Sequence, residues 1–260
     1  MMVDLCHMNR QPFSVSVSVI VPAMNEADNL PHVFATLPTW IDEVILVDGN
    51  SSDDTVAVAR TLRPDLHVVT QSRRGKGNAL IEGFAAAKGD IIVMIDADGS
   101  TDGREIFSFV TALVEGADFA KGSRYAPGGG SDDLSRLRSF GNRALTGLTN
   151  LLYGTSYTDL CYGYNAFWAH HLHALDLDCD GFEIETLMNV RAVQAGLTIH
   201  EVPSHERCRI HGESNLHAVR DGLRVLRTIL RERFRQVDAS RTQVALVKGE
   251  VTSSESCATS

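Results

Sequence analysis

The chain has 260 residues, of which 43% are apolar and 22% charged, so it can form one or two domains with a continuous core. Its 24 Lys and Arg residues against 33 Asp and Glu residues give a net charge of −9, which argues against a nucleic-acid partner. The five scattered cysteines contain no C-x-x-C pair and indicate neither a disulfide framework nor a zinc site.

Four short runs rich in β-branched residues are predicted strands, and three stretches between them have apolar residues at helical spacing. The predicted strands are 15–21, 43–47, 66–70 and 91–95, and the predicted helices are 27–37, 53–62 and 78–87. Strands that alternate with helices form a parallel sheet with helices on its faces. The sequence therefore predicts an α/β fold, with the doubly apolar strand 91–95 near the centre of the sheet.

The second half of the chain lacks the regular alternation of predicted strands and helices. A Gly-rich loop at 126–133 precedes a predicted helix at 137–152. Residues 181–185 begin a second predicted helix, which is amphipathic and carries Glu183 and Glu185 at its start. These elements predict a layer beside the sheet.

The domain boundaries follow from these changes. We interpret 14–238 as a single domain, preceded by an extension at 1–13 and followed by a polar, disordered tail at 239–260. The first ten residues lack the apolar centre of a signal peptide, and no stretch approaches the roughly 18 apolar residues of a membrane span. We therefore expect a cytoplasmic protein without a membrane span.

A last predicted helix, 219–237, combines an apolar stripe with a basic face. The stripe consists of Val219, Leu223, Leu226, Leu230, Phe234 and Val237. The rest of the helix carries six arginines against two acidic residues, a combination typical of helices that lie on an anionic membrane surface. The alternative is an ordinary terminal helix that packs on the domain and turns its arginines to solvent.

Acidic side chains follow a predicted strand at the edge where open α/β sheets bind ligands. Asp96 and Asp98 come directly after strand 91–95, and alternate residues of an extended segment point the same way. Two converging carboxylates suit Mg²⁺ or Mn²⁺, which bind carboxylates together with substrate phosphates. Ser100 is a candidate for a further oxygen ligand. The alternative is that Asp98 only caps a turn into the helix after Asp102.

Two other strand ends carry polar residues as well. Asp48 follows strand 43–47, where an acidic residue in dinucleotide-binding folds accepts hydrogen bonds from ribose. Pro22 lacks a backbone donor and is predicted to stop the first strand. Asn25 and Glu26 then face the same edge of the sheet.

Three strand ends of this kind, followed by Arg74-Gly75-Lys76-Gly77 before a helix, resemble the nucleotide-sugar domain of family 2 glycosyltransferases. The segments that carry the resemblance are SVIVPAMNEADNL, EVILVDGNSSDDT, SRRGKGNAL, GDIIVMIDADGSTD, AKGSRY, TDLCYGYNAF and RIHGESNL. They are most similar to the polyprenyl-phosphate hexosyltransferases, a group that includes dolichyl-phosphate mannose synthase. The resemblance implies a GT-A fold and inverting transfer, with 14–125 as the nucleotide-sugar half and 126–238 as the acceptor half.

The resemblance also implies a donor site for GDP-hexose or UDP-hexose. Its nucleotide-binding residues would be Pro22, Asn25, Glu26, Asp48, Lys76, Asp96 and Ser123. Asp96 and Asp98, with Ser100, would hold Mg²⁺ or Mn²⁺ on the diphosphate.

The implied catalytic residues lie in both halves of the chain. Arg124 and Arg209 would lie near the phosphates of donor or acceptor, because cations must screen two anionic substrates that meet. Glu183 or Glu185 is a candidate base toward the acceptor, with Asp159 as an alternative. The other interpretation is that acids near a helix N-terminus complement its dipole. A phosphate acceptor is already an anion at neutral pH and needs no strong base.

The chain departs from the family pattern at two positions. Asn215 follows Gly-Glu-Ser where relatives that act on polyprenyl phosphate often have Lys, which removes one cation from the expected phosphate site. Gly49 replaces the second acid of the V-D-D-G pattern and changes the expected contacts to base or ribose.

These features predict a metal-dependent inverting glycosyltransferase that moves a hexose from a nucleotide diphosphate sugar to polyprenyl phosphate. We expect it to be peripheral at the inner face of the cell membrane, through residues 219–237. The first alternative keeps the donor chemistry but uses a soluble acceptor hydroxyl, of a natural product or a small metabolite. The second alternative is a nucleotide-sugar-binding protein without catalysis.

Overall fold

The computed structural model describes residues 12–214 and 216–235, in which strands and helices alternate through the first half of the chain. The strands are β1 (Val17–Ala23), β2 (Glu43–Asp48), β3 (His67–Thr70), β4 (Ile91–Met94), β5 (Phe119–Ser123), β6 (Gly130–Ser131), β7 (Asn165–Trp168), β8 (Ile199–Pro203) and β9 (His205–Glu206). The helices are α1 (Leu30–Phe34), α2 (Thr55–Leu62), α3 (Lys76–Ala86), α4 (Ile106–Val114), α5 (Arg136–Tyr153), α6 (Leu172–Leu175), α7 (Ile184–Gln194) and α8, which covers residues 218–235.

Seven of these strands form one sheet in the order β3-β2-β1-β4-β7-β5-β8. β7 runs antiparallel to its neighbours β4 and β5, whereas the other pairings in the sheet are parallel. The short strands β6 and β9 pair separately. The predicted α/β fold with a mostly parallel central sheet is therefore confirmed, and β4 lies at its centre.

Alternate side chains of the central strands enter different cores, so helices cover both faces of the sheet. In β1, Val19 and Val21 pack with apolar residues of α1, α2 and α4. Ile20 packs instead with residues of α3 and α7. This double burial explains the continuous apolar runs in the sequence. Because β1, β2 and β4 are parallel, their carboxyl ends lie along one edge of the sheet.

The β-branched pattern does not predict three strands of the sheet. β5 reads Phe-Ala-Lys-Gly-Ser and β7 reads Asn-Ala-Phe-Trp, and neither contains a β-branched residue. β8 contains only Ile199 and Val202 of this type. Packing against neighbouring elements, rather than intrinsic propensity, holds these segments in the sheet.

Two predictions at the first strand are wrong in detail. Pro22 does not stop β1, which extends to Ala23. The pairing of β1 with β4 ends where Ile20 faces Met94, so the missing N–H of Pro22 breaks no ladder on that side. The helix predicted at 27–37 is also shorter, because only the five residues of α1 are helical.

Helix α7 is not amphipathic, contrary to the sequence prediction. Its residues from Ile184 to Ala192 are all buried. One side packs against the sheet, and the other side is covered by α8 through the ion pair between Arg191 and Glu232 (3.1 Å). A second helical layer therefore makes α7 a core element.

Helix α8 buries a different face from the predicted apolar stripe. Val225 and Ile229 are buried, in one cluster with Tyr157 and partly buried residues of α5. Four residues of the predicted stripe are exposed instead, namely Val219, Leu223, Leu230 and Phe234.

Val237 lies outside the described residues, as do the predicted tail at 239–260 and most of the predicted extension at 1–13. The predicted domain boundaries stay predictions.

Within residues 12–214 and 216–235, no helix is both long enough and apolar enough to span a bilayer.

Gly83 of α3 provides a test of how closely this helix packs on the sheet. A Cβ at this position would lie 2.4 Å from Ile20 Cγ2 and 2.9 Å from Val47 Cγ2. We expect Gly83→Ala to lower the free energy of unfolding by about 1–3 kcal/mol in urea titrations, because overpacking outweighs the gain in helix propensity. The control is Gly147→Ala in α5, where a Cβ meets no atom within 4 Å and stability should rise slightly. Equal stability of both variants would contradict this packing.

Candidate active site

An open cleft of about 1040 Å³ lies along the carboxyl ends of β1, β2 and β4. Residues that follow these three strands line its floor, and α5, α8 and the segment 206–214 form its other walls. This is the edge where open α/β sheets bind ligands. The cleft therefore brings together residues from both halves of the chain.

A mostly buried lysine, 14% exposed, connects the two halves at the floor of this cleft. Lys76 Nζ lies 2.6 Å from Asp96 Oδ1 and 2.8 Å from Glu185 Oε1. Burial disfavours the charged ammonium, but the two carboxylates outweigh it and hold the pKa of Lys76 well above its usual value. The pKa of Glu185 is raised by burial despite Lys76. Lys76 is therefore a fixed cation in the cleft.

Glycine residues create the space for this cluster. A Cβ at Gly163 would lie 2.8 Å from Lys76 Nζ and 3.2 Å from Asp96 Oδ2. A Cβ at Gly75, whose φ is +110°, would lie 2.1 Å from the carbonyl oxygen of Asp180. The N–H of Gly77 donates to that same oxygen (2.8 Å). The R-G-K-G motif thus docks the loop that leads into α7 and brings Glu185 to Lys76.

A second cation pairs with the other carboxylate of the D-A-D motif. Arg209 Nη1 lies 3.2 Å from Asp98 Oδ2, and Arg209 Nη2 donates to Glu26. The pKa of Glu26 is raised, mainly by burial and against the effect of Asn29 and Arg209. Arg209 therefore joins the ends of β1 and β4.

The segment that carries Arg209 is fastened across the strand ends by backbone hydrogen bonds. The N–H of Arg207 donates to the Ser100 carbonyl (2.8 Å), and the N–H of Ile210 donates to the Asp98 carbonyl (3.2 Å). The N–H of Ser100 in turn donates to Asp98 Oδ1 (3.0 Å). Ser100 itself lines the cleft. The segment thus fixes both the backbone and the side chain of Asp98.

The residues at and after the carboxyl ends of β1 and β2 occupy different places relative to the cleft. Pro22 and Glu26 line it, whereas Asn25 accepts hydrogen bonds from the backbone (2.8 Å) and hydroxyl (3.2 Å) of Ser52. Asp48 is buried and accepts from the N–H of Ser51 (3.2 Å). Asn25 therefore ties the two loops together, whereas Asp48 closes the turn that follows β2, and the contacts of both residues to a nucleotide stay predictions.

Arg124 lines the cleft and is paired there with two carboxylates, and its predicted role near the phosphates stays a prediction. Its Nε lies 2.7 Å from Asp159 Oδ2, and its Nη1 lies 3.0 Å from Glu206 Oε2. The guanidinium also stacks 4.8 Å from the centre of the Tyr162 ring. Two carboxylates raise its pKa against the effect of burial. We interpret Arg124 as a residue that positions the cleft wall.

Asp159 and Ser123 are buried beside the turn that follows β5, and the roles that the resemblance implies for them stay predictions. Asp159 has no exposed surface, because it binds Arg124 and accepts from Asn142 Nδ2 (2.8 Å). Ser123 is equally buried and shares a hydrogen bond with the hydroxyl of Thr158 (2.6 Å). Neither side chain reaches the cleft, because both close the turn after β5.

Glu183 lies just before α7 and differs from Glu185 in its contacts. Its Oε2 is buried and has no hydrogen-bond partner among the described residues. A Cβ at Gly181 would lie 2.4 Å from this oxygen. The predicted role of Glu183 as a base stays a prediction.

The residues at the strand ends suit a divalent metal by their chemistry. Asp96 and Asp98 both line the cleft, and their side chains are 31% and 21% exposed. Each of these carboxylates already has a cationic partner, Lys76 or Arg209, so the negative charge at this edge of the sheet is balanced by positive charge. In the part of the chain that the structure describes, no group of three or more His, Cys, Asp or Glu residues forms a metal cluster. Two carboxylates would therefore leave the remaining positions to phosphates and water.

Sequence reasoning misses two residues of the site. Glu206 holds Arg124 and accepts from Ser131, yet no motif or spacing distinguishes it in the sequence. Gly163 lies in the segment TDLCYGYNAF, where a glycine between two tyrosines is the only signal of a close approach.

Comparisons with known proteins identify related sequences. A family model described as glycosyl transferase family 2 matches residues 18–175. The glycosyltransferase AglJ of Haloferax volcanii is 31% identical over 220 residues, which cover 81% of this chain and 70% of AglJ. A polyprenol monophosphomannose synthase of Mycolicibacterium smegmatis is 33% identical over 198 residues, which cover 71% of this chain and 75% of that protein.

A solved structure has the same fold. It is the glucosyl-3-phosphoglycerate synthase of Mycobacterium tuberculosis in complex with Mn²⁺, UDP and glucosyl-3-phosphoglycerate. The TM-score is 0.66 at 24% identity, over 85% of this chain and 80% of that chain. At this identity the likeness shows the fold alone, and it confirms the GT-A fold.

The buried pair of Arg124 and Asp159 predicts a pH-dependent stability. We expect Asp159→Asn to lower the free energy of unfolding by about 3–5 kcal/mol at pH 7, because it leaves a buried guanidinium without its main partner. Burial is the largest single effect and raises the pKa of Asp159, but the hydrogen bonds from Arg124 and the charges of Lys121 and Arg124 together outweigh it and hold the pKa below its usual value. Its contribution is therefore complete above the unfolded pKa of about 3.9 and is lost as the pH falls through the lower folded value.

Urea titrations at several pH values measure both effects. The variant should lose part of the wild-type dependence on pH below about pH 4. The control is Asp65→Asn, which breaks an exposed pair with Arg63 and should cost less than about 1 kcal/mol. A loss for Asp159→Asn as small as that of the control would contradict the buried pair.

Proposed function

The chain belongs to glycosyl transferase family 2, and we propose that it transfers a hexose from a nucleoside diphosphate sugar to polyprenyl phosphate, with inversion at the anomeric carbon. Membership of this family makes the chain a glycosyltransferase and argues against the alternative of binding without catalysis. The relative named as a polyprenol monophosphomannose synthase supports the choice of acceptor.

One observation carries the proposal: two acid–cation pairs lie in one cleft at the strand ends. Asp96 is paired with Lys76, and Asp98 with Arg209. The phosphates of a nucleoside diphosphate are negatively charged, so their site needs cationic side chains. It also needs carboxylates that can hold a divalent metal on the diphosphate. The two carboxylates and two cations supply both requirements at the edge where the fold binds ligands.

The proposed reaction uses these residues in separate roles. Asp96 and Asp98 would hold a divalent metal, which would supply charge stabilisation for the departing nucleoside diphosphate. Lys76 and Arg209 add fixed positive charge beside the same phosphates, at no cost of reorganisation. Glu185 and Glu26 position these cations. The acceptor attacks from the side of the sugar opposite the leaving group, which inverts the anomeric centre.

The contacts of the acidic residues favour a phosphate acceptor over a hydroxyl. A hydroxyl needs a base within hydrogen-bond reach. Glu185 is paired with Lys76, Asp159 is buried against Arg124, and Glu183 does not line the cleft, so none of the three candidate carboxylates is placed for this task. A phosphate monoester carries its own negative charge at neutral pH. We therefore rank the lipid phosphate above a soluble hydroxyl acceptor.

The outer faces of α5 and α8 support a peripheral position on the membrane. The two helices pack together through the cluster that contains Val225 and Ile229. Their outward faces carry the exposed apolar residues Leu137, Phe140, Leu151, Val219, Leu223, Leu230 and Phe234. Arg220, Arg224 and Arg227 are exposed beside them. Apolar side chains surrounded by arginines are typical of a surface that enters an anionic leaflet. We call this the α5–α8 face.

Substitution of the metal-binding acids tests the proposed chemistry. We expect Asp98→Asn and Asp96→Asn to lower transfer at least about a hundredfold, and excess EDTA to abolish it, because both carboxylates act through the metal. Isothermal titration should show weaker Mn²⁺ binding in the presence of nucleoside diphosphate. The control is Asp65→Asn, at the amino end of β3 and so at the opposite edge of the sheet. Full transfer in excess EDTA would contradict the metal assignment.

Co-sedimentation with vesicles tests the α5–α8 face. The wild-type chain should bind phosphatidylglycerol vesicles more tightly than phosphatidylcholine vesicles, and less tightly as salt rises. The double variant Phe140→Ser with Phe234→Ser should bind about tenfold more weakly, because two exposed rings no longer enter the bilayer. The matched control is Leu62→Ser with Val114→Ser, which removes exposed apolar side chains from α2 and α4. Equal binding by both double variants would contradict the proposed face.

A further inference from the structure

We propose that the cleft continues as an apolar groove that binds the hydrocarbon chain of the acceptor, next to the subsite for its phosphate. The inference rests on the proposed function, because it assigns a second subsite to the same acceptor. The groove lies between α5 and α8 and is lined by Leu134, Leu137, Gly141, Leu145, Leu216, Val219, Gly222 and Val225. We call it the α5–α8 groove.

The two ends of the cleft differ in chemistry. The strand-end region holds the carboxylates of Asp96 and Asp98 with their cations, whereas the α5–α8 groove is lined by aliphatic side chains and glycine. The charged residues at its border are already paired. Arg138 binds Asp133 (2.8 Å), and the carboxylate of Asp221 accepts from the N–H of His217 (2.8 Å). The groove therefore offers an apolar environment next to a charged one.

Two glycines keep the groove open. A Cβ at Gly141 of α5 or at Gly222 of α8 would meet no atom within 4 Å. Glycine in a helix interior costs roughly 1 kcal/mol relative to alanine, so each helix gives up stability at the point where it lines the cleft. The absence of side chains at these two positions widens the space between the helices.

The size of the cleft allows more than the donor. Pockets that enclose one small ligand typically have volumes of about 300–1,000 Å³. The cleft here has about 1040 Å³, slightly above that range. A nucleotide sugar at the strand ends would therefore leave room for the first part of an acceptor chain between the helices.

The groove also opens toward the proposed membrane face. Leu137 and Val219 line the groove and are at the same time 63% and 68% exposed, as members of the α5–α8 face. A hydrocarbon chain that leaves the groove at this point would enter the apolar part of a bilayer that contacts the α5–α8 face. The occupant that fits this path is an amphiphile, with a phosphate near Arg209 and a hydrocarbon chain between the helices. A small polar acceptor would leave the aliphatic side chains of the α5–α8 groove exposed to water.

Binding of prenyl monophosphates with one, two and three isoprene units tests the groove. Isothermal titration of the full chain, with Mn²⁺ and nucleoside diphosphate present, should show affinity that rises roughly tenfold per unit as each unit is buried. Inorganic phosphate provides the reference without a chain. Equal affinity for all three lengths would overturn the proposal.

Leucine substitutions at Gly141 and Gly222 test whether the hydrocarbon chain lies between α5 and α8. Gly141→Leu and Gly222→Leu should each weaken binding of the three-unit compound at least tenfold and should leave nucleoside diphosphate binding unchanged. The matched control is Gly147→Leu on α5, where a Cβ also meets no atom within 4 Å but which does not line the cleft. If either leucine variant unfolds in a thermal-shift measurement, the alanine variant at the same position replaces it, with a smaller loss expected. Wild-type affinity in the Gly141 and Gly222 variants would contradict the groove.

The same measurements separate this inference from the proposed function. Binding that depends on chain length without any hexose transfer would support the groove and contradict the proposed reaction. Hexose transfer to prenyl phosphates with no dependence on chain length in binding would support the reaction and contradict the groove.

Discussion

The site depends on one mostly buried cation. Lys76 begins α3 and lies between Asp96, at the end of the central strand, and Glu185, at the start of α7. Glu185 is buried and Lys76 is mostly buried, whereas Asp96 is 31% exposed, so removal of Lys76 would leave the Glu185 carboxylate away from water without its partner. This constraint fixes the spacing between the two halves of the chain. It also explains why the R-G-K-G motif carries glycines that admit the loop before α7.

A second buried network supports the other side of the cleft. Arg124 is surrounded by Asp159 and Glu206, which come from segments that are far apart in sequence. This network holds the end of β5 against α5, through Asn142, and against β9. The cleft is therefore open between two rigid charge clusters. Arg209 bridges toward the first cluster and brings positive charge to the strand ends, where the donor is proposed to bind.

Much of the fold is predictable from the sequence because local signals agree with it. β1, β2 and β4 have continuous apolar runs, and the D-A-D motif directly after β4 lies at the cleft as predicted. β5 and β7 lack such signals, since Lys121 and Asn165 are polar residues that become fully buried only through tertiary packing. The two partners of Arg124 cannot be recognised in the sequence either, because only the folded topology brings Asp159 and Glu206 to it. The buried face of α8 is mispredicted because Asp221 and Glu232 are buried with ion-pair partners, whereas periodicity assigns charged residues to solvent.

The central claim is that this cleft transfers a hexose to a phosphate with inversion, and the configuration of the product tests it most directly. The full chain, with Mn²⁺, an α-linked nucleoside diphosphate hexose and a prenyl phosphate of two isoprene units, can be followed by proton and phosphorus NMR. The account predicts a β-linked hexosyl phosphodiester that accumulates in step with free nucleoside diphosphate. An α-linked product, or release of nucleoside diphosphate while the prenyl phosphate stays unmodified, would contradict it.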